Sequence, residues 1–287
     1  MSMTGEEKKR LAVAACRVRM GVIESTHGAK AGHPGGSLSS AELFAYLYNK
    51  ELRIDPENPK WDGRDRFVLS KGHTAPGLYA ALANRGFFPV EDLPTLRHSD
   101  SYLQGHPNMN TVPGVDMSTG SLGQGVSAAC GMAKGAKLTG RDEICVYTLL
   151  GDGELAEGEV WEAFLFAAHY KLDNLCAIID LNGLQIDGAT KDVMNTAPVN
   201  DKMRAFGFEI AEINGQDLDA MDAAFEAFHA NRGSGKPFAI LMTTVKGKGV
   251  SFMENNVGWH GKAPNDEEYA VAMRELRAQL SELEGLA

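Results

Sequence analysis

The sequence predicts an α/β fold: a doubly wound parallel sheet with helices on both faces. Two observations carry that expectation. Largely apolar runs of strand length recur through the second half of the chain, and segments with helical periodicity alternate with them. A third supports it: the 32 glycines gather with His, Asp, Ser and Pro beside those runs, as ordered loops do where backbone must approach a ligand or another segment closely.

Each element has its own signal. Leu11, Ala15, Val18 and Val22 form one stripe at helical spacing, so a helix is expected over about residues 5–25, stopping before the loop GAKAGHPGGS. A second helix is expected from Ser39 or Ser40 to about Lys50, capped by serine and burying Leu43, Phe44 and Leu47. Residues 67–70 read as a short strand, and Thr74 and Pro76 open a helix that Gly86 ends. The clearest pattern is EICVYTLL (143–150), an apolar helix over about 159–170, and NLCAIIDL (174–181): a βαβ unit with buried strands. FEIAEI (208–213), a helix over about 218–231 and PFAILMTTV (237–245) repeat the alternation. A charged amphipathic helix over 266–286 follows a proline-containing linker. The expected division is therefore a main domain of residues 1–265 and a C-terminal helix within 266–287.

The totals narrow the class of function. At 287 residues, 44% hydrophobic and 23% charged, with no long uncharged apolar run, the chain suits one large soluble core. A net charge of −10 argues against nucleic-acid or anionic-membrane partners, which it would repel at long range. The opening MSMTGEEKKRLAVAACRVRM mixes acids and bases where a secretory signal needs an uninterrupted apolar stretch, so a cytoplasmic location is expected. Cys16, Cys130, Cys145 and Cys176 form no CxxC pair and are expected to be buried free thiols.

Ligands of open parallel sheets sit at the carboxyl ends of the strands. Gly151-Asp152-Gly153 follows one buried strand and Asn182-Gly183-Leu184 the next, and a single right-handed crossover joins the two strands. Asp152 and Asn182 should therefore lie close together, a carboxylate and an amide oxygen suited to Mg²⁺ or Ca²⁺ with phosphate oxygens completing the shell. Taken alone, GDG is an ordinary turn; the matching Asn182 makes a metal–diphosphate site the better reading. Other nucleotide signatures fail. Gly120-Ser121-Leu122-Gly123-Gln124-Gly125 has its glycines in the wrong order for a dinucleotide fingerprint, and Gly233-Ser234-Gly235-Lys236 lacks the first glycine of a P-loop. His27, His33, His73, His106 and His260 each adjoin glycine, a loop setting from which imidazoles reach anionic or hydroxyl-rich ligands. His98, His169 and His229 have no special surroundings.

GHPGGSLSSAE (32–42), RDRFVLSKGH (64–73), GHPNMNTVPGVDMSTGSLGQG (105–125), GDGELAEGEVWE (151–162), DLNGLQIDG (180–188) and GWHGKAP (258–264) occur in that order. Together they resemble the amino-terminal, diphosphate-binding part of transketolase. The resemblance implies thiamine diphosphate as cofactor and Asp152, Asn182 and the Leu184 carbonyl as ligands of Mg²⁺ or Ca²⁺. It implies His73, His260 and the Gly153 amide as diphosphate contacts, backbone at Gly120 and Leu122 against the aminopyrimidine, and Ile186 near the thiazolium. His33, His106 and His260 are similar to the catalytic imidazoles around the substrate hydroxyls, and Glu157 and Glu162 to acids near the contact between subunits. Lys246, within KGKG, departs from full-length members, which often carry an apolar residue there, and is similar to the deoxyxylulose-phosphate synthase branch.

The family's pyrimidine-binding domain, with its activating glutamate and most of its sugar-phosphate grip, has no counterpart in these residues. The implied protein is one subunit of a split transketolase. It would move a two-carbon ketol unit from a ketose, usually phosphorylated, to an aldose, in an α₂β₂ assembly with a C-terminal pyrimidine-domain subunit. The alpha component of a 2-oxoacid dehydrogenase also uses a GDG…N site but has no reason to carry GHPGG, SKGH and GWHGKAP together. A cofactor-binding protein without turnover is the reading from another class.

Overall fold

The computed structural model describes residues 3–285. Its main sheet consists of β1 (Arg66–Leu69), β2 (Val146–Gly151), β3 (Leu175–Leu181), β6 (Glu209–Asn214) and β7 (Phe238–Thr243), all parallel, in the order β1-β2-β3-β7-β6. A short antiparallel pair, β4 (Leu184–Gln185) and β5 (Gly188–Ala189), forms a hairpin beyond β3. Strand order runs outward from β1 through β3 to the edge strand β6 and then reverses into β7. The crossovers between β2 and β6 therefore put their helices on one face, and the crossover from β6 back to β7 puts its helix on the other.

Alternating strand residues sort into two cores accordingly. Tyr147, Leu149, Ile178 and Ile240 point to the face covered by α1 (Gly5–Ala29), α3 (Ala41–Tyr46), α4 (Ala75–Arg85) and α9 (Leu218–Asn231). Val146, Leu150, Ile179 and Leu241 point to the other, covered by α5 (Gln124–Leu138), α6 (Gly158–His169) and α8 (Val199–Ala205). This is the expected doubly wound parallel sheet. The edge strand β6 has no fully buried residue, unlike the strands inside the sheet.

Local chemistry sets the ends. Thr4 and Glu7 close a capping box at the start of α1, and Asn265 and Glu268 do the same for α10 (Asp266–Glu284). Helix α10 packs along α1, burying Ala272, Met273 and Leu276 with Val22, Ile23 and Trp259; Leu286, the expected end of that helix, lies outside the described residues. All four cysteines are free and buried.

Some elements differ from the sequence reading. The helix expected from Ser39 or Ser40 to about Lys50 is present as α3, with Ser40 at its N-cap position and a final π turn at Leu47–Glu51, and a short helix α2 (Pro34–Leu38) is added before it. The break falls at Ser39, whose hydroxyl turns back to the Gly36 carbonyl (3.0 Å) and across to Asp180 (2.7 Å). Helix α5 has no counterpart among the expected elements, because its sequence QGVSAACGMAKGAKL carries three glycines and no large apolar stripe. Its signal is the small-residue set Val126, Ala129, Cys130, Ala133 and Ala136, all buried. Helix α8 and the brief α7 (Thr190–Val193) are likewise additions to the expected elements.

Candidate active-site cleft

Four of the sheet's loops meet at its carboxyl edge and, with the segment after α1, enclose a cleft of about 430 Å³. The segment after α1 presents His33, which stands just before α2. The loop after β1 tightens into a turn at Gly72–Thr74 that carries His73. The loop after β2 is Asp152–Ala156, β3 leads into Asn182 and the hairpin, and the loop after β7 delivers Lys246 and His260. The cleft is lined by every residue expected to bind cofactor or metal: His73, Gly120, Leu122, Asp152, Gly153, Asn182, Leu184, Ile186 and His260.

Asp152 and Asn182 come together as the crossover argument requires. The Asp152 carboxylate accepts hydrogen bonds from the amides of Gly183 (2.6 Å) and Gly153 (2.8 Å) and from the Thr190 hydroxyl (3.3 Å). Burial, reinforced by the charge of Asp180, pushes its pKa up. The Asn182 amide donates to Asp180 at 3.0 Å, and its oxygen accepts the Leu184 amide at 3.1 Å. Among the described residues no group of three or more His, Cys, Asp or Glu side chains could hold a metal ion. The Asp152, Asn182 and Leu184 set is of another kind, combining one carboxylate, one amide oxygen and one carbonyl.

Facing this acid is a triangle of imidazoles. The rings of His33 and His73 lie 5.2 Å apart, His73 and His260 5.2 Å, and His33 and His260 5.5 Å. Burial first, then neighbouring positive charge, pulls His33 and His260 down to about 4, and burial holds His73 well below the usual histidine range. All three are neutral at pH 7. Lys246 sits beside them, donating to the Leu184 carbonyl (3.1 Å) and lying 2.9 Å from Nδ1 of His260. Burial lowers its pKa to about 8.

Two cleft residues hold buried polar atoms without a protein partner, Nδ1 of His33 and Nε2 of Gln185. Buried orphans of this kind are normally answered by a ligand or water. Unpartnered donors, an ammonium and a buried carboxylate with amide and carbonyl oxygens beside it form a donor set that fits a diphosphate and a hard cation together.

Glycine makes the far wall possible. Gly120 has φ +150°, and a Cβ there would lie 3.0 Å from the His106 ring. A Cβ on Gly72 would lie 2.7 Å from the Gly120 amide. His106 thus lies against Gly120, exposed to solvent and outside the set of residues lining the cleft. Partial burial lowers its own pKa, and when protonated it would in turn lower that of His33.

Of the other glycine-flanked histidines, His27 is a correction. It stacks on Tyr269 (4.1 Å between rings) and pairs with Asp266 (2.8 Å), joining α1 to α10 away from the cleft. His229 pairs with Glu51, and His98 lies near the Gly28 carbonyl.

Sequence reasoning missed three polar residues that line or underlie the cleft: Lys71, Glu154 and Asp180. Glu154 gathers the Ser70 hydroxyl and the amides of Gly123 (2.9 Å) and Gly151 (3.0 Å), tying the ends of β1 and β2 to the start of α5. The available signal was their place directly after, or at the last turn of, buried strands.

Residues 9–281 match the family described as transketolase, thiamine diphosphate binding domain. The chain belongs to this family. Members bind thiamine diphosphate, and the family's named enzymes are transferases. The 6-deoxy-6-sulfo-D-fructose transketolase subunit of Clostridium sp. (strain MSTE9) is 46% identical over 248 residues, 86% of this chain and 89% of that protein. An apulose-4-phosphate transketolase subunit of Actinobacillus succinogenes is 42% identical over 271 residues, 94% of this chain and 95% of that protein. The transketolase structure from Campylobacter jejuni superposes with a TM-score of 0.86 at 33% identity, covering 99% of this chain and 46% of that one. This transketolase-family chain thus has the length of the relatives named as subunits and about half that of the single-chain enzyme.

Proposed function

We propose that this chain is the diphosphate- and metal-binding subunit of a two-chain transketolase, moving a two-carbon ketol unit from an anionic ketose to an aldose. The observation that carries the reading is the cleft itself, where acidic and amide oxygens at the ends of β2 and β3 face an imidazole triangle and Lys246.

In this reading Asp152, Asn182 and the Leu184 carbonyl hold Mg²⁺ or Ca²⁺, and the Gly153 amide, His73, His260 and Lys246 hold the diphosphate. Backbone at Gly120 and Leu122 meets the aminopyrimidine, and the exposed Ile186 lies near the thiazolium ring. Bound thiamine diphosphate supplies a carbon nucleophile and stores the electron pair when the carbon–carbon bond breaks. The chain's own residues bind and orient. His33 has an unpartnered ring nitrogen, and neutral His33, His106 and His260 can each donate or accept a proton at substrate hydroxyls. Lys246 donates to Nδ1 of His260, which leaves the His260 proton on Nε2.

A pyrimidine-domain partner in an α₂β₂ assembly fits two observations. The relatives matched over nearly their whole length are named as subunits. The outer face of α5 and α6 also exposes Leu138, Leu165, Phe166 and Tyr170, and Ile186, Val193 and Met194 are exposed beside the cleft. Glu157 and Glu162 lie exposed along the same side, Glu157 at the cleft rim. The test is a ketol-transfer assay of the purified chain, alone and with its co-purifying polypeptide, against a panel of phosphorylated and sulfonated ketoses. Transfer to an aldose that requires both chains and a divalent cation is the expected result; turnover by this chain alone would overturn it.

A further inference from the structure

Beneath the cleft floor, Lys71 and Asp180 form an ion pair at 2.6 Å with side-chain exposures of 2% and 0%. Burying two charges so completely is unfavourable unless the geometry compensates for the lost hydration, and apolar replacements of such pairs are often no less stable. A pair retained in this position therefore calls for a use other than stability. Its surroundings supply one. The same Asp180 oxygen that meets Lys71 also accepts from Ser39 (2.7 Å) and from the amide nitrogen of Asn182 (3.0 Å), and the other oxygen accepts from Thr244. Lys71 in turn donates to the Gly36 carbonyl (3.0 Å) and meets the Ser40 hydroxyl (2.8 Å). One carboxylate thus ties together the ends of β1, β3 and β7 and the break between α2 and α3.

We propose that the Lys71–Asp180 pair is a positioning device that fixes which end of the Asn182 amide faces the divalent-cation site. An amide has a right end and a wrong end for a cation. Its oxygen can ligate; its NH₂ would repel. Asp180, paired with Lys71, accepts from the Asn182 N–H and would repel the amide oxygen, so Nδ2 is committed to it and Oδ1 is turned away, where it accepts the Leu184 amide. Asp180 touches neither cofactor nor substrate in this arrangement and acts only through Asn182. The inference rests on the metal–diphosphate reading of the cleft and adds to it the residue pair that orients one ligand.

The test uses the full chain with any polypeptide that co-purifies, titrated calorimetrically with Mg²⁺ at saturating thiamine diphosphate. Replacing the pair as Lys71→Met with Asp180→Leu removes both charges, Met matching Lys in volume and Leu being somewhat larger than Asp. With the amide freed among three χ1 wells and two faces, Mg²⁺ affinity should fall about sixfold. Adding Asn182→Asp to that variant should restore it, because a carboxylate has no wrong end. Asp180→Asn, the milder change, should weaken Mg²⁺ binding in the same direction and serves if the double variant fails a thermal-melt check of folding. Unchanged Mg²⁺ affinity in a folded variant, or no recovery with Asn182→Asp, would overturn the positioning role. Absence of Mg²⁺-dependent binding in wild type would instead overturn the reading of the cleft on which it rests.

Discussion

The ammonium of Lys246 lies 2.9 Å from Nδ1 of His260, Lys246 buried and His260 half-buried along the same cleft. One hydrogen bond thereby fixes an imidazole tautomer and holds a cation beside it, and the same ammonium reaches the Leu184 carbonyl. Lys246→Met should weaken thiamine diphosphate binding by about 10- to 100-fold, the value of a charge-assisted contact. Because burial brings Lys246 down to about 8, affinity in the wild type should also decline as pH rises through that value, as the ammonium is lost. Calorimetric titration from pH 7 to 9.5 checks both; a flat pH profile that persists in the wild type would remove Lys246 from the diphosphate site.

The neutral imidazole triangle makes the cofactor-free chain sensitive to acid. A histidine whose folded pKa is below its unfolded value contributes stability that is present above about 6.5 and is lost as pH falls towards the folded value. For His33 and His260 that window runs from about 6.5 down to about 4. Asp152 and Glu154, whose pKa values are raised by burial, act in the opposite sense at the lower end of the window. Comparison of wild type with His33→Gln isolates the histidine. The variant's melting temperature should fall less between pH 7 and pH 5, and identical slopes would contradict the buried neutral state.

Asp152 carries both a charge and three loop hydrogen bonds. Asp152→Asn should reduce Mg²⁺-dependent cofactor binding by about 100-fold, more than the loss of an outer-shell partner. Its melting temperature should stay close to that of wild type. Leu149→Asp, at a fully buried position in β2, should instead prevent folding, since the new charge has no partner in the core. Original Mg²⁺-dependent affinity in folded Asp152→Asn would refute the ligand assignment.

His106 lies exposed against Gly120, held through its carbonyl by the Tyr79 hydroxyl (3.0 Å). His106→Ala is expected to lower kcat for ketol transfer by about 10²-fold, a general acid–base contribution, with a smaller effect on cofactor affinity. His73→Ala should do the reverse, while His169→Ala, at an exposed end of α6, should be nearly silent. Wild-type turnover at saturating cofactor in His106→Ala would end its assigned role.

The apolar outer face of α6 should be needed for assembly and not for cofactor binding. Phe166→Asp introduces a charge beside Leu165 and Tyr170 without touching the cleft. Light scattering after mixing with the co-purifying chain should show loss of the complex, and calorimetry should show Mg²⁺–cofactor binding within about twofold of wild type if the two surfaces are independent. Assembly of the variant at wild-type strength would place the partner elsewhere.

The βαβ unit at residues 143–181 was legible in the sequence because buried parallel strands are apolar on both faces and leave a continuous signal. The pairing of Asp152 with Asn182 was equally legible, since crossover handedness puts successive strand ends side by side. The glycine-flanked histidines marked the right loops as a class, but flanking glycine by itself does not separate His33, His73 and His260 from His27; only the family resemblance singled out the first three. Only the packing of α10 against α1 gave His27 Tyr269 and Asp266 as partners, removing it from the cleft. Helix α5 was hidden by its glycines, whose purpose is set by what lies opposite: a Cβ at Gly125 would lie 2.6 Å from the Ser70 backbone. Lys71, Glu154 and Asp180 became functional candidates only in three dimensions. A charged residue in a sequence carries no mark of burial, and these side chains are buried because donors or acceptors from distant strand ends converge on them.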